Sequence, residues 1–455
     1  MVNELHLKFL KFFAIFGLAP YTRKADLHHQ QRRRVRQRPH QQPPYTYHPH
    51  PYENANYHNH YEHYEDVRGP NQLLHWQQIY TAALIILNLL LTLYGVVFMP
   101  FEDTTVISDL VSIIVFVIQM AVIFVVLAET ALSYPQHYKF IEGIQRVQWL
   151  MQQHLQTQLC LHTLRQRQRR KYGLFIGIVY GSLVVVMLVI SLIHYYGYFW
   201  HAILPVLIIR TRCLQMLIGL DYICYYLELL NRKLNALISC KIAKNYYCLD
   251  IDYGHLESYE YLSNFKLVYD QIYLLHSIYN RIFGISLVAI LTVVVLDIII
   301  HVYWSLLSIM HYYGRQYLMI TGGTLLPLCT MFVGLCYMGD QCEKQCNLIL
   351  ISLKSLLRTS SNRFNSHTMD YNSLLQSFIM QILHNPIRIS ANAYFTLNLK
   401  FVMAIAANVV TYIVILLQFR QNSPNLLRED LNMTSNCTNE LLSSNSSTRN
   451  KSYIY

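Results

Sequence analysis

Asp297, His301 and Trp304 follow one another at i, i+4 and i+7 inside a long apolar run, so a carboxylate, an imidazole and an indole share one helical stripe. Ionisable groups in a hydrocarbon environment are costly and usually functional. Two readings fit the spacing. One is a pocket that takes a polar or cationic small molecule; the other is an Asp297–His301 pair satisfying itself inside a helix bundle. Asp109, His194 and Tyr195, near the ends of neighbouring apolar runs, join the pocket candidates. Trp304 and Tyr195 also suit an interfacial aromatic belt. Arg210 and Arg212 lie within a further apolar run, where they must snorkel or find an acidic partner on another span.

The chain has no metal-spaced triad, no Gly-rich phosphate loop and no nucleophile elbow, so an enzyme is not expected, nor a cofactor or a metal. Cys342 and Cys346 are close in sequence but lack two further ligands at short spacing. Eight histidines fall between His28 and His63, in a stretch (residues 28–66) rich in His, Gln, Tyr, Pro and Asn. Aliphatic residues are nearly absent there, so the stretch reads as a disordered insert, with a metal-binding tract as the alternative.

Seven apolar runs position these groups: residues 79–99, 106–132, 173–196, 199–220, 282–310, 317–338 and 401–419. Each is long enough to cross a hydrocarbon core of about 30 Å. Charged residues make up only 13% of the chain, against about 25% in soluble proteins. The fold class is an all-α membrane protein with seven transmembrane helices. Residues 221–281 and 339–399 are polar but repeat Tyr, Leu and Ile at three- and four-residue spacing. They read as cytoplasmic helical extensions of the spans, with Pro386 breaking the helix before the last crossing.

Of the 36 Lys and Arg residues, 29 fall in the N-terminal segment and the three long loops, and five in the short loops and the C-terminal tail. Basic segments stay cytoplasmic, so the net charge of +11 reflects membrane topology and not nucleic-acid binding. All four Asn-x-Ser/Thr sequons, at Asn432, Asn436, Asn445 and Asn450, lie in the tail. Glycosylation marks an outer face. Both signals put the N-terminus in the cytoplasm and the C-terminus outside. Residues 1–78 are then a cytoplasmic segment, 79–419 the membrane domain and 420–455 an extracellular glycosylated tail. Residues 9–20 mimic a signal peptide, but the basic cluster at residues 32–38 opposes translocation, so they read as an uncleaved membrane-surface or re-entrant segment. In this topology Asp109, His194, Tyr195 and the Asp297 stripe all sit in the outer half of the membrane.

Residues 411–419 read TYIVILLQF. This resembles the TYhhhhhQF signature of insect gustatory receptors, where h is apolar. His384-Asn385-Pro386 and Tyr394-Phe395-Thr396-Leu397 are similar to the family's approach to its last span, and Phe16-Gly17-Leu18-Ala19-Pro20 to its N-terminal entry. The resemblance covers residues 79–419. The long N-terminal insert and the 36 residues after the signature depart from it.

The resemblance implies a ligand-gated, nonselective cation channel in the plasma membrane of gustatory neurons, opened by a small-molecule tastant and surrounded by membrane lipids. Four subunits, identical or mixed, enclose one pore lined by the last helix of each, and the cytoplasmic extensions meet in a central anchor. Carried onto this chain, Gln418 faces the conduction path and Ile415 and Phe419 form an apolar constriction. Thr411 and Tyr412 pack and hydrogen-bond. Residues 415 and 419 share a helix face, with Gln418 beside them. An apolar ring blocks ions by dewetting and an amide ring replaces part of an ion's hydration shell. No residue assigns the chain to a taste modality; the breadth of the family's bitter branch makes a bitter or aversive compound the implied ligand class.

Two other readings compete. A G-protein-coupled receptor needs an outside N-terminus, which the charges and sequons oppose. A secondary transporter commonly shows internal repeats and interrupted short helices, and no clear repeat is present.

Overall fold

The computed structural model describes residues 4–18, 71–98, 106–155, 161–193, 199–243, 259–310, 315–360, 366–392 and 394–421. These form α1 (Glu4–Ile15), α2 (Asn71–Phe98), α3 (Val106–Leu132), α4 (Tyr134–Gln153), α5 (Leu161–Ile193), α6 (Phe199–Ala243), α7 (Tyr259–Ile309), α8 (Arg315–Ser360) and α9 (Ser366–His384), then strands β1 (Ser390–Ala391) and β2 (Phe395–Thr396), and last α10 (Leu399–Gln421). Apolar runs in lipid must satisfy every backbone group internally, and helices do so. Among the described residues six helices are long and apolar enough to cross a membrane, and counting the bent pair α3–α4 as one span brings the number to seven.

Three helices exceed a membrane's needs. The 45 residues of α6, 51 of α7 and 46 of α8 extend for about 68–76 Å, more than twice a hydrocarbon core. Their polar ends are the segments whose three- and four-residue apolar spacing predicts helical extensions. α6 is the hub, with 78% of its apolar window buried, whereas α2 and α10 bury only 11% of theirs. Gly219 lets α7 approach it closely: a Cβ there would lie 2.9 Å from the Tyr279 ring.

The basic stretch after α3 differs from the loop expected of it. The chain turns 67° between α3 and α4, with Ser133 at the break donating to the Glu129 carbonyl at 2.6 Å and Pro135 in the first turn of α4. Tyr134, His137, Phe140, Ile141, Ile144, Val147, Gln148 and Met151 are buried on α4. That is a three-and-four spacing, and it makes this polar segment an amphipathic helix packed on α7.

The signal-like segment folds into the bundle as well. Phe9 packs on Tyr172 and Phe12 on Tyr180, which joins α1 to α5. α1 ends in a Schellman motif: Gly17 adopts φ +69°, and Leu18 and Gly17 donate to the carbonyls of Phe13 and Ala14. A side chain at Gly17 would meet Leu84 at 2.9 Å. The freed carbonyls are taken up by other helices. Tyr80 donates to Ile15, Tyr134 to Gly17 at 3.2 Å and Gln215 to Leu18 at 2.8 Å.

Candidate functional site

Asp297 is buried, and its partner lies across the bundle instead of one turn along. The side-chain amide of Gln119 on α3 donates to both carboxylate oxygens at 3.1 Å. A helix periodicity fixes which residues share a face but not what stands opposite, so the Asp297–His301 pair of the sequence reading gives way to an Asp297–Gln119 pair. His301 Nδ1 is buried without a hydrogen-bond partner. Ser305 donates to the His301 carbonyl at 2.7 Å and contacts the Thr321 hydroxyl of α8 at 3.0 Å. Trp304 stands beside Tyr303, their rings 6.3 Å apart. Along one stretch of α7, Asp297 thus meets Gln119 of α3 and Ser305 meets Thr321 of α8, with the unpartnered His301 nitrogen between them in sequence. Asp109 is on α3, but its side chain lies outside the described residues, as do His194 and Tyr195 altogether.

The same α3–α7 seam carries a second polar rung, ten residues along α3 from Gln119 and eleven back along α7 from Asp297. Glu129 accepts hydrogen bonds from the Ile285 and Ser286 amides at 3.0 Å and from the Ser286 hydroxyl. Arg212 of α6, with no exposed surface, pairs with Glu129 at 3.3 Å. Its guanidinium also donates to Gln215 at 2.8 Å and to the Ile282 carbonyl at 3.1 Å, and sits 4.4 Å from the Phe283 ring centroid. Gln215 passes the network on to Leu18. Arg210 instead donates to the Val179 carbonyl of α5. The sequence leaves the arginines to snorkel or to pair with an acidic residue on another span, and Arg212 takes the second course with Glu129. The signal was present: Glu129 is a carboxylate inside a crossing that holds no basic residue to neutralise it, as Arg212 lies in one that holds no acidic residue.

The last helix shows a different pattern. Asn398 caps α10, its side chain accepting from the Phe401 amide at 2.9 Å. Val409 and Ile413 are buried one turn apart, and Phe401, Val402, Ile405 and Leu417 pack partly against the core. The other residues of the helix up to Gln418 are uncovered by the chain itself. Ile415 and Gln418 are exposed, Tyr412 is 56% exposed, and the side chain of Phe419 lies outside the described residues. The Thr411 hydroxyl donates one turn back to the Ala407 carbonyl at 3.0 Å. Among the described residues no group of three His, Cys, Asp or Glu side chains is arranged to hold a metal ion. The His-rich insert and the sequons Asn432, Asn436, Asn445 and Asn450 fall outside those residues.

This arrangement matches a known architecture. The insect olfactory receptor OR5 from Machilis hrabei superposes with a TM-score of 0.52 at 11% identity, over 78% of this chain and 93% of that one. The fold is that of a multi-pass seven-helix chemoreceptor. The chain belongs to the 7tm chemosensory receptor family, which matches residues 55–423 and is a family of receptors, not of enzymes. A Drosophila melanogaster protein with the provisional name gustatory receptor 39b is 27% identical over 346 residues, 75% of this chain and 91% of that protein. Gustatory receptor 23a of the same organism is 27% identical over 162 residues, 35% of this chain and 41% of its own length.

Proposed function

We propose that this receptor is a subunit of a tastant-gated, nonselective cation channel, assembled as a homo- or heterotetramer in the plasma membrane of gustatory sensory neurons. Its N-terminus is cytoplasmic and its tail extracellular and glycosylated. The observation that carries the reading is α10. A helix of mean composition apolar enough to cross a membrane, yet packed on its own chain along one stripe, leaves Gln418 and Ile415 for other subunits and for a conduction path. Gln418 supplies the amide ring, and Ile415 and Phe419 the apolar constriction.

Patch-clamp recording from cells expressing the chain, with G-protein signalling blocked, tests this directly. Gln418→Ala is expected to change the relative permeability to cations while leaving the amount of surface protein as in the wild type. Wild-type permeability in that variant removes Gln418 from the pore. A tag on the tail that antibodies reach on intact cells supports the orientation, and one they cannot reach refutes it.

The ligand seat in this reading is the Asp297–His301–Trp304 stripe with Gln119, open to a small polar or cationic tastant, including bitter compounds that animals avoid. Asp109, His194 and Tyr195 complete it from the outer side. Asp297→Asn keeps an amide-sized group against Gln119 and removes the charge. A lost charged hydrogen bond is worth about 1.5–3 kcal/mol, so the half-activating concentration of a cationic agonist should rise about 10- to 150-fold. Overlapping dose–response curves for Asp297→Asn and His301→Ala would move the pocket elsewhere.

A further inference from the structure

The short hairpin between α9 and α10 is seated on both α7 and α8 at several points. Ile387, Ile389 and Ala391 alternate into the core with essentially no exposure, as strand geometry requires, and Leu397 joins them from the return strand. Leu397 donates back to the Ile389 carbonyl at 2.9 Å, and Ser390 and Ala391 pair with Thr396 and Phe395. On the α7 side, His276 Nε2 meets the Arg388 carbonyl at 2.8 Å. A Cβ on Gly284 would come into ordinary contact, at 3.5 Å, with the backbone of Asn392, which holds the left-handed φ of +48°. On the α8 side, the Arg388 guanidinium pairs with Glu343 at 3.1 Å. Gly339 lies so close that a Cβ would fall inside the contact distance of the Leu397 carbonyl oxygen and 3.0 Å from its Cβ. The next residues are Asn398, the cap of α10, and Phe401, whose ring stacks on Phe395 at 4.5 Å and meets Phe332 of α8 edge-on at 6.0 Å.

We propose that this hairpin is the positioning element of α10: Gly339, Glu343 and Arg388 set where the last helix begins, so that a change in the spacing of α7 and α8 is carried to it. The same two helices hold Asp297, His301 and Thr321, which gives the ligand seam and the last helix a shared rigid neighbour. The link to gating rests on the reading of α10 as the pore helix; the positioning itself does not.

The full-length receptor tests both parts. Arg388 and Glu343 are 54% and 27% exposed, and exposed pairs contribute too little to unfold a protein. Glu343→Arg and Arg388→Glu should therefore reach the surface normally. Each should shift the half-activating ligand concentration about two- to fivefold with cation permeability unchanged, and the doubly swapped receptor should return to the wild-type curve. Failure of the double swap to restore the curve overturns the proposal, because a role of these residues apart from the pair would not be rescued. Hydrogen exchange in the purified receptor supplies a readout independent of current. Gly339→Ala should speed exchange at residues 387–409 at least tenfold while residues 208–230 of α6 keep their wild-type rates. Unchanged exchange along α10 in that variant also overturns the proposal. Faster exchange in Gly339→Ala together with wild-type permeability in Gln418→Ala supports the positioning role and removes Gln418 from the pore, which tells the two failures apart.

Discussion

Glu129→Leu is expected to lower the stability of the receptor by about 3–5 kcal/mol, the loss that follows when one member of a buried ion pair is removed. The loss comes chiefly from Arg212. Its guanidinium is wholly buried among α3, α6 and α7, and without the carboxylate it retains only neutral acceptors on Gln215, Ile282 and Ser286. The Ile285 and Ser286 amides lose an acceptor as well. Arg212→Met should cost a similar amount by stranding Glu129. The double variant, with two apolar side chains in place of the pair, should cost less than either single change, since desolvation of both charges disappears with them. Thermal unfolding of the purified receptor, followed by intrinsic fluorescence, reads all three. A loss under about 1 kcal/mol for Glu129→Leu would mean that the pair is not the joint described above.

A second large effect is expected far from the ligand seam. Phe378→Ala should destabilise the docking of α9 on α7 by about 3–5 kcal/mol. Phe378 has no exposed surface and packs edge-on against Phe265 at 6.3 Å and Tyr269 at 5.5 Å. The polar contacts flanking it, from Lys266 to Ser377 at 3.0 Å and between Gln381 and Asp270, lie at the rim of that joint and hold direction more than energy. Phe378→Leu keeps most of the volume and should cost less than about 1.5 kcal/mol. Hydrogen exchange along α9 in the purified receptor should accelerate in the alanine variant alone. Equal protection of both variants would place the weight of this joint elsewhere.

What could be read from residue order follows what each signal measures. Apolar length revealed the crossings, and three-and-four spacing the extension of α6 and α7 beyond a membrane's thickness, because both depend only on a helix's own residues. The same spacing was available in α4, from Tyr134 to Met151, but its basic and amide-rich surface masked it until burial showed which face was inward. The hairpin was less legible: strands of two residues are too short to display a period, though Ile387, Ile389 and Ala391 alternate as a strand does. Which residues pair across the bundle was not legible, although the charges of Glu129 and Arg212 signalled that each needed a partner. Asp297 chose Gln119 over His301, and Arg212 chose Glu129, because packing angles between helices decide such pairs and periodicity along one helix does not. The TYIVILLQF run pointed to the last helix as special. Its single buried stripe leaves most of the described helix uncovered by its own chain, which is the observation on which the proposed channel rests.

The hydrogen bond from Gln215 to the Leu18 carbonyl spans 197 positions of the chain. A ribosome adds about 5–20 residues per second, so about 10–40 s separate the emergence of the two partners. Through that interval α1, with its phenylalanines along one side, has neither α5 nor α6 to cover it. A membrane surface is a shelter suited to an amphipathic helix with Lys8 and Lys11 on its exposed side. The first segment made is therefore locked in only after the fourth crossing has been delivered, with three more still to follow.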